Sequence, residues 1–252
     1  MTEPLQDSVA LITGSDSGIG QATAIEFARE GADVVVNYLD DEEGAGLTRE
    51  KVEAAGRRAI MIGADVSDEE QVREMFDRAV EEFGTVDVLM NNAGVDASGT
   101  EVWDRAIKTN VYGYVYCCRR FINIRKQAGG GGKIINITSV YQEQPRAGAA
   151  DYDCSKGAIR NLARTLALEL APHKINVNNI GPGMVLTSFN QEAIDDPDVR
   201  EQQVQSIPWK RAAFPEEIGR LAVFLASNEA DHVTGSTYYR DDGLMQNAGQ
   251  GA

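Results

Sequence analysis

Short apolar runs alternate along this chain with longer amphipathic stretches, and no other feature constrains its fold so strongly. Most of the runs place valine, isoleucine and leucine on consecutive positions and do not alternate strictly with polar residues. That pattern is typical of strands buried on both faces, as in a parallel sheet. The predicted strands span residues 9–13, 33–37, 59–63, 86–91, 133–138 and 174–180, with a weaker seventh at 237–239.

The stretches between these runs predict helices. Over residues 71–83 the apolar side chains recur at helical spacing, and Ser67, three positions before Glu70, predicts a capping box for this helix. A second pattern of the same kind begins at Ser155 and is ended by Pro172, since proline cannot continue a helix. The rhythm of strand and helix is that of right-handed crossovers that cover both faces of a sheet.

The sequence therefore predicts a single doubly wound α/β domain over residues 1–252, with a mostly parallel seven-stranded sheet. Residues 186–215 interrupt the rhythm, because they are polar and contain three prolines. They predict a partly helical insertion, and an insertion of that length is usually a lid or a binding element.

Composition narrows the classes of partner. The chain carries 24 Lys and Arg against 39 Asp and Glu, a formal net charge of −15. Such a surface repels phosphodiester backbones and anionic lipid, so neither nucleic acid nor membrane is an expected partner.

No apolar run approaches the roughly 20 residues of a membrane-spanning helix, and the N-terminus lacks signal-peptide features, so a cytoplasmic location is expected. The cysteines and histidines lack metal-ligand spacing, and no metal is expected.

A glycine-rich turn, with Gly14, Gly18 and Gly20, connects the first predicted strand to a helix. Glycines let the backbone approach a pyrophosphate, and a helix N-terminus offers free amides and a positive dipole end. A purely structural turn is the alternative.

Asp65 follows the third predicted strand at the edge where ligands bind in doubly wound folds. It is predicted either to accept from an adenine amino group or, like Ser67, to cap the next helix.

Tyr152 and Lys156 lie four positions apart at the start of a predicted helix, so both project from one face. A tyrosine pKa of about 10 is too high for base catalysis at neutrality, and a neighbouring ammonium lowers it. The pair predicts a proton donor and acceptor, although this spacing alone is common in structural helices. Ser139 ends the fifth predicted strand at its carboxyl edge, and Asn110 lies in a predicted helix after the fourth.

With these residues, the chain resembles the short-chain dehydrogenase/reductase family over essentially its whole length. The motifs that carry the resemblance, in the family's order and spacing, are Thr13-Gly14-x-x-x-Gly18-Ile19-Gly20, Asn91-Asn92-Ala93-Gly94, Asn110, Ser139, Tyr152-x-x-x-Lys156 and Pro182-Gly183. The resemblance implies a Rossmann-type fold and an NAD(P)-dependent oxidoreductase that acts on a secondary alcohol or a carbonyl. It also implies a homotetramer.

The resemblance further implies a role for each matching residue. Tyr152 exchanges a proton with the substrate oxygen, Ser139 hydrogen-bonds that oxygen, and Lys156 binds the nicotinamide ribose while lowering the pKa of Tyr152. Asn110 holds a water of a proton relay. The residues implied to bind the cofactor are Gly14, Ser17, Gly18, Ile19, Gly20, Tyr38, Leu39, Asp65, Val66, Asn91, Ala93, Gly94, Tyr152, Lys156, Pro182, Gly183, Val185 and Thr187.

The residues after the second predicted strand bear on the form of the cofactor. Residues 37–43 contain no lysine or arginine to neutralise a 2′-phosphate, and Asp16 in the glycine turn adds negative charge. NAD is therefore favoured. NADP stays possible, because Tyr38 occupies the position where NAD-preferring relatives often carry aspartate.

Within the family, several segments resemble bacterial glucose 1-dehydrogenases, so a sugar or a small alcohol or ketone is expected. Residues 140–143 lack the histidine of those enzymes, and Asp242 stands where they have glycine. The predicted pocket wall contains Ser139, Tyr141, Gln144, Tyr152, Met184, Phe189 and Trp209, with packing of the lid as the alternative for the members outside the catalytic set. A catalytically silent dinucleotide-binding regulator is the alternative function, and the intact catalytic set argues against it.

Overall fold

The computed structural model describes residues 3–96 and 103–247, and one sheet organises them. All of its strand pairs are parallel, in the order β3-β2-β1-β4-β5-β6-β7. The predicted doubly wound, seven-stranded α/β fold is confirmed. The strands are β1 Val9–Ile12, β2 Asp33–Tyr38, β3 Ala59–Gly63, β4 Val88–Asn91, β5 Gly132–Ile137, β6 Ile175–Pro182 and β7 Thr237–Arg240.

The helices flank the sheet, and the long ones begin earlier than the apolar periodicity indicates. The described helices are α1 Gly18–Arg29, α2 Glu42–Ala54, α3 Glu69–Phe83, α4 Trp103–Ile107, α5 Gly113–Gln127, α6 Ala150–Leu170, α7 Gln191–Asp195, α8 Pro197–Gln203 and α9 Pro215–Ala226. Within residues 3–96 and 103–247, no helix combines the length and the apolar character needed to cross a membrane.

The predicted N-cap of α3 is wrong by one residue. The carboxylate of Asp68, not the hydroxyl of Ser67, accepts hydrogen bonds from the backbone N–H groups of Glu70 (2.9 Å) and Gln71 (3.2 Å). Both residue types satisfy free N–H groups at a helix start, so the capping preference alone could not choose between them. The carboxylate also suits the positive end of the helix dipole better than a hydroxyl does.

The sheet is buried on both faces, which explains why its strands show consecutive apolar residues. In β1, Ala10 and Ile12 face one layer with α1 and α9, whereas Val9 and Leu11 face the other layer with α3, α5 and α6. Successive side chains of a strand point to opposite faces, so both must be apolar when both faces are covered.

A row of asparagine side chains crosses the interior of the sheet at one register. Asn91, Asn136, Asn179 and Thr237 are neighbours on β4, β5, β6 and β7. The amide of Asn91 donates to Asn136 (2.9 Å), that of Asn136 to Asn179 (3.1 Å), and that of Asn179 to the Thr237 hydroxyl (3.3 Å). We call this row the asparagine ladder. It gives the amide nitrogen of each of the three asparagines an acceptor, as burial requires.

Candidate active site

A cleft opens at the carboxyl ends of β1 and β4, where the strand order reverses direction. This switch point is where doubly wound folds bind ligands. The cavity there has a volume of about 620 Å³. Among the residues predicted to bind the cofactor, those that line it are Gly14, Ser17, Gly18, Ile19, Leu39, Asp65, Val66, Ala93, Gly94 and Thr187.

The glycine turn forms one wall of this cleft because its backbone has a shape that other residues rarely adopt. Gly14 and Gly18 have φ angles of +59° and +53°, in the left-handed region that favours glycine. Gly20 has a different task, since a Cβ there would lie 2.1 Å from the carbonyl oxygen of Gly14. The first two glycines shape the turn, and the third lets helix α1 pack against it.

Side chains from the loop after β4 hold the glycine turn in place. The Thr13 hydroxyl accepts from the backbone N–H groups of Asn92 (2.9 Å) and Ala93 (3.0 Å). The Asn92 amide donates to the carbonyl oxygens of Thr13 (2.9 Å) and Gly14 (2.7 Å). The two loops that border the cleft are thus one hydrogen-bonded unit.

Several residues predicted to bind the cofactor point elsewhere. The side chain of Asn91 belongs to the asparagine ladder, and the ring of Tyr38 packs on Gly63 and the apolar core. The carboxylate of Asp65 accepts from the backbone N–H of Ser67 (2.8 Å), but Asp68 caps α3, so the predicted capping role of Asp65 is wrong. Asp65 lines the cavity, and its contact with an adenine amino group stays a prediction. Gly20, Pro182, Gly183 and Val185 likewise lie outside the cavity lining among the described residues.

The end of the cleft beside β2 is acidic. Leu39, Asp40 and Asp16 line it. Burial raises the pKa of Asp16, and the nearby carboxylates of Asp41 and Asp40 raise it further, against the opposing hydrogen bonds of its own backbone N–H and of Ser17. These carboxylates give this end of the cleft a negative potential.

The predicted acid/base residues meet at the carboxyl edge of β5. Ser139 lies two residues after the end of this strand, and its hydroxyl accepts from the backbone N–H of Tyr141 (3.2 Å). Lys156 is buried, and its ammonium donates to the Ile137 carbonyl (2.9 Å) and lies 5.4 Å from the ring centre of Tyr152. A Cβ on Gly94 would be 3.7 Å from the Lys156 Nζ, which places this amine beside the cleft.

The titration behaviour of this group differs from the expectation of an acidic tyrosine. Burial raises the pKa of Tyr152 to about 12, although the Ser139 hydroxyl favours the phenolate. Burial also lowers the pKa of Lys156 to about 8. Desolvation is the largest cause of both shifts, because it disfavours the charged form of each group.

Asn110 lies in a π-helical turn, Lys108–Tyr112, between α4 and α5. Such turns are frequent at functional sites. Its amide oxygen accepts from the Val95 backbone N–H (2.8 Å), and its nitrogen donates to the Val95 carbonyl (3.0 Å) and the Ser155 hydroxyl (3.1 Å). Asn110 therefore joins the loop after β4 to helix α6, and its predicted role in binding a water stays a prediction.

Comparison with known proteins identifies the family to which the chain belongs. Residues 14–245 match a family model described as enoyl-(acyl carrier protein) reductase. A short-chain dehydrogenase/reductase from Serratia marcescens superposes with a TM-score of 0.90 at 33% identity, over 96% of this chain and 99% of that one. The chain belongs to the short-chain dehydrogenase/reductase family. Two curated members are similar along nearly their whole length: 3beta-hydroxysteroid dehydrogenase 1 of Eggerthella lenta (40% identical, 97% of this chain and 96% of the relative) and glucose 1-dehydrogenase 2 of Bacillus subtilis (39% identical, 97% of each).

Membership of the short-chain dehydrogenase/reductase family confirms the predicted reaction class. The chain is an NAD(P)-dependent oxidoreductase that interconverts a secondary alcohol and its carbonyl. The alternative of a catalytically silent regulator gains no support from these dehydrogenases. No cluster of three metal-ligating side chains occurs in the described part of the chain.

The predicted pocket-wall residues lie in the segments that follow β5 and β6. Tyr141 meets Tyr152 edge to face, with ring centres 6.3 Å apart, and Phe189 lines the cofactor cleft. Gln144 follows the short 3-10 turn Val140–Gln142 and its backbone N–H donates to the Val140 carbonyl. Trp209 belongs to the loop over the cleft, and Met184 lies just before that loop.

That loop, residues 186–215, contains α7 and α8 and is closed at its base by a bridge between Val185 and Ala213. A small apolar cluster of Val204, Ile207 and Ala212 fills its base, and Met184 packs against this cluster. Trp209 is 70% exposed and stacks on the Arg211 guanidinium at 5.7 Å.

Arg211 fastens the loop to the C-terminal segment. It pairs through two nitrogens with Glu217 (2.7 and 2.9 Å) and through two with Asp242 (3.1 and 3.2 Å). Hydrogen bonding by Arg211 is the main reason why the pKa of Glu217 falls to about 2. Asp242 adopts a φ of +49°, so the residue that replaces the usual glycine keeps the glycine conformation and adds an ion pair.

Two charged residues that the sequence did not single out lie beside Tyr152. Both Asp96 and Arg146 act on its pKa, the carboxylate raising it and the guanidinium lowering it. Asp96 follows the Asn91-Asn92-Ala93-Gly94 motif closely, which was the one signal available. Arg146 lies in an irregular segment with no periodicity, so only the folded chain reveals its position.

Proposed function

We propose that Tyr152 is the general acid and base of this oxidoreductase, with Ser139 and Lys156 as its partners. The observation that carries the proposal is the meeting of these three side chains at the edge of β5, beside the cleft at the switch point. During reduction, the Tyr152 phenol donates its proton to the carbonyl oxygen, and Ser139 donates a hydrogen bond to the same oxygen. The nicotinamide supplies the hydride.

The high pKa of Tyr152 suits this direction of the reaction. A phenol with a pKa of about 12 keeps its proton at any physiological pH, so Tyr152 is already protonated, and able to donate, when the substrate binds. For alcohol oxidation, the phenolate must be stabilised by positive charge nearby. The Lys156 ammonium and an oxidised nicotinamide ring are the two sources of that charge, so we propose that the base form arises in the complex with the oxidised cofactor.

We propose NAD as the preferred cofactor, with NADP as a weaker one. The fit rests on the cleft itself: glycines of the turn offer backbone amides near the N-terminus of α1, and no Cβ fills the space beside them. Asp16 and Asp40 would repel a 2′-phosphate at the end beside β2. Four other predicted contacts of the cofactor, Val66, Ala93, Gly94 and Thr187, line the same cavity.

A pair of leucine substitutions tests the preference. Leu39→Arg places a cation in the acidic end of the cleft, whereas Leu47→Arg makes the same charge change on the exposed surface of α2. We expect Leu39→Arg to lower KM for NADP at least tenfold and Leu47→Arg to leave the ratio of the two KM values unchanged. A wild-type enzyme that already prefers NADP would refute the proposal.

The assembly and the location of the protein are two further proposals. We propose a homotetramer in the cytoplasm, formed through α5 and α6, because Tyr112, directly before α5, is 49% exposed and Leu168 on α6 is 80% exposed. Light scattering after size-exclusion chromatography checks the mass. A monomer at micromolar concentration would contradict the proposal.

The catalytic assignment is tested by Tyr152→Phe, which removes one oxygen and keeps the ring. Reduced-nicotinamide absorbance is followed with sugars, cyclic alcohols and ketones, and cofactor binding is measured by calorimetry. We expect turnover to fall at least a thousandfold while the Kd for the cofactor changes less than threefold. Retained turnover would disprove the role of Tyr152, and tight cofactor binding without turnover of any substrate by the wild type would favour a regulator.

A further inference from the structure

Two opposite charges form part of the wall beside the catalytic tyrosine. One nitrogen of Arg146, Nη2, lies 3.3 Å from each carboxylate oxygen of Asp96. The Arg146 guanidinium stacks on the Tyr141 ring at 4.9 Å, and that ring meets Tyr152 edge to face. A continuous chain of contacts therefore leads from the acid/base residue to the charged pair.

The pair is close enough to act on the reacting groups. The Asp96 carboxylate raises the pKa of both Tyr152 and Lys156, and the Arg146 guanidinium lowers that of Tyr152. Asp96 and Arg146 are also accessible, with 35% and 42% of their side chains exposed. A molecule whose oxygen reaches Tyr152 can therefore extend toward these two side chains.

Both charged groups keep hydrogen-bonding capacity that the protein does not use. Within residues 3–96 and 103–247, the Arg146 side chain makes hydrogen bonds only through Nη2, although a guanidinium has five N–H donors. The Asp96 carboxylate has about four acceptor positions and shares them with that one nitrogen. Stacking on Tyr141 holds the plane of the guanidinium, so its Nε and Nη1 are fixed as donors.

This chemistry discriminates between classes of secondary alcohol. An apolar substrate that covers the pair would remove water from two charges without replacing its hydrogen bonds, which is unfavourable. Neighbouring hydroxyl groups would replace that water, because each hydroxyl both donates to a carboxylate and accepts from a guanidinium. A carboxylate on the substrate would pair with the guanidinium in the same way.

We propose that Asp96 and Arg146 form a recognition pair that selects a polyhydroxylated substrate, an aldose or an aldonate, over an apolar alcohol. The inference rests on the proposed function, since it assumes that the substrate oxygen meets Tyr152. Asp96 accepts from hydroxyl groups near the reacting carbon. Arg146 donates to hydroxyl or carboxylate oxygens and is a specificity-determining residue, not an acid or base.

The test compares three substrates with the wild type and with Asp96→Asn and Arg146→Gln. D-glucose and D-gluconate represent the two sources of hydroxyl groups, and cyclohexanol represents an apolar alcohol. We expect each substitution to lower kcat/KM at least tenfold for the polyols, mainly through KM, and less than twofold for cyclohexanol. If Arg146 binds a carboxylate, Arg146→Gln lowers kcat/KM further for D-gluconate than for D-glucose.

Arg160→Gln is the matched control. Arg160 pairs with Glu143 at 3.1 Å and has a similar exposure, so its substitution removes the same charge from α6 outside the proposed pair. We expect it to leave kcat/KM for all three substrates within twofold of wild type. Because Asp96→Asn also changes the pKa of Tyr152, an effect on catalysis alone would lower turnover of every substrate equally, and that result would overturn the proposal.

Two further outcomes separate this inference from the proposed function. A wild type that oxidises cyclohexanol but neither polyol would overturn the recognition pair and leave the role of Tyr152 intact. If no substrate is turned over, the proposed function fails. Calorimetric titration of both polyols into the wild type and Arg146→Gln with NAD present then decides the inference, because equal or absent binding would overturn it.

Discussion

Lys156→Met is expected to make the protein more stable at neutral pH while removing its activity. The ammonium is buried, with a side chain 3% exposed, and methionine fills nearly the same volume without a charge. The carbonyl of Ile137 keeps a partner after the substitution, because the Tyr114 hydroxyl also donates to it at 3.0 Å. The substitution therefore removes a buried charge and leaves no buried acceptor unpaired.

The magnitude follows from the pKa of Lys156, which burial lowers from 10.5 to about 8. A pKa difference of one corresponds to about 1.4 kcal/mol. The difference between the unfolded and the folded pKa of Lys156 therefore means that keeping this lysine charged in the folded protein costs about 3 kcal/mol. Between pH 8 and 10.5 the unfolded chain binds more protons at this site than the folded one. The cost is therefore complete below pH 8 and disappears as the pH rises through 10.5.

The assay is urea unfolding of the wild type and Lys156→Met from pH 7 to pH 10.5 at one protein concentration. We expect the variant to be more stable by about 3 kcal/mol at pH 7, with the gap closing as the pH rises. Lys126→Met, at an exposed position of α5, controls for the loss of one positive charge. A gap that stays constant with pH, or a variant less stable at pH 7, would refute the reasoning.

Three other substitutions have outcomes that the contacts determine. Asp242→Gly relieves a left-handed backbone but loses the ion pair with the loop, so the unfolding free energy should change by less than about 1 kcal/mol. Trypsin should cut residues 186–215 faster in this variant, and slower cutting would contradict the reasoning. Glu217→Gln should weaken the loss of stability between pH 4.5 and 2, because the folded-state pKa of about 2 makes the wild type lose stability as pH falls through that window; parallel acid unfolding curves would exclude it. Asp68→Ala should lower the melting temperature and Ser67→Ala should not, and the reverse order would show that the cap of α3 is misassigned.

The strands and the acid/base pair could be predicted because each has a local cause. A strand covered on both faces must be apolar at successive positions, and a spacing of four on one helix brings Tyr152 and Lys156 together without help from the rest of the chain. The predicted direction of the Tyr152 pKa was wrong for the protein alone. It depends on how much water the fold removes, which no spacing encodes.

The remaining features depend on contacts between distant segments. Asp96 and Arg146 lie 50 positions apart in irregular segments, so nothing in the sequence connects them. Tyr38 was expected in the cleft, but its ring folds onto Gly63 of the neighbouring strand, and Leu39 lines the cavity instead. The side chain of Asn91 was assigned to the cofactor by its motif, whereas the fold uses it between strands.

The asparagine ladder has a consequence for how the sheet assembles. A shift of β5 by one residue against β4 would turn the Asn136 amide to the opposite face and bury two neighbouring amides without partners. A misaligned sheet would thus lose several hydrogen bonds of the ladder at once. A row of apolar side chains would lose none and would tolerate the shift. Because the last rung is Thr237 on β7, the sheet gains its full set of partners only when the final strand has docked. The ladder thereby couples the alignment of β4, β5 and β6 to the docking of the C-terminal strand.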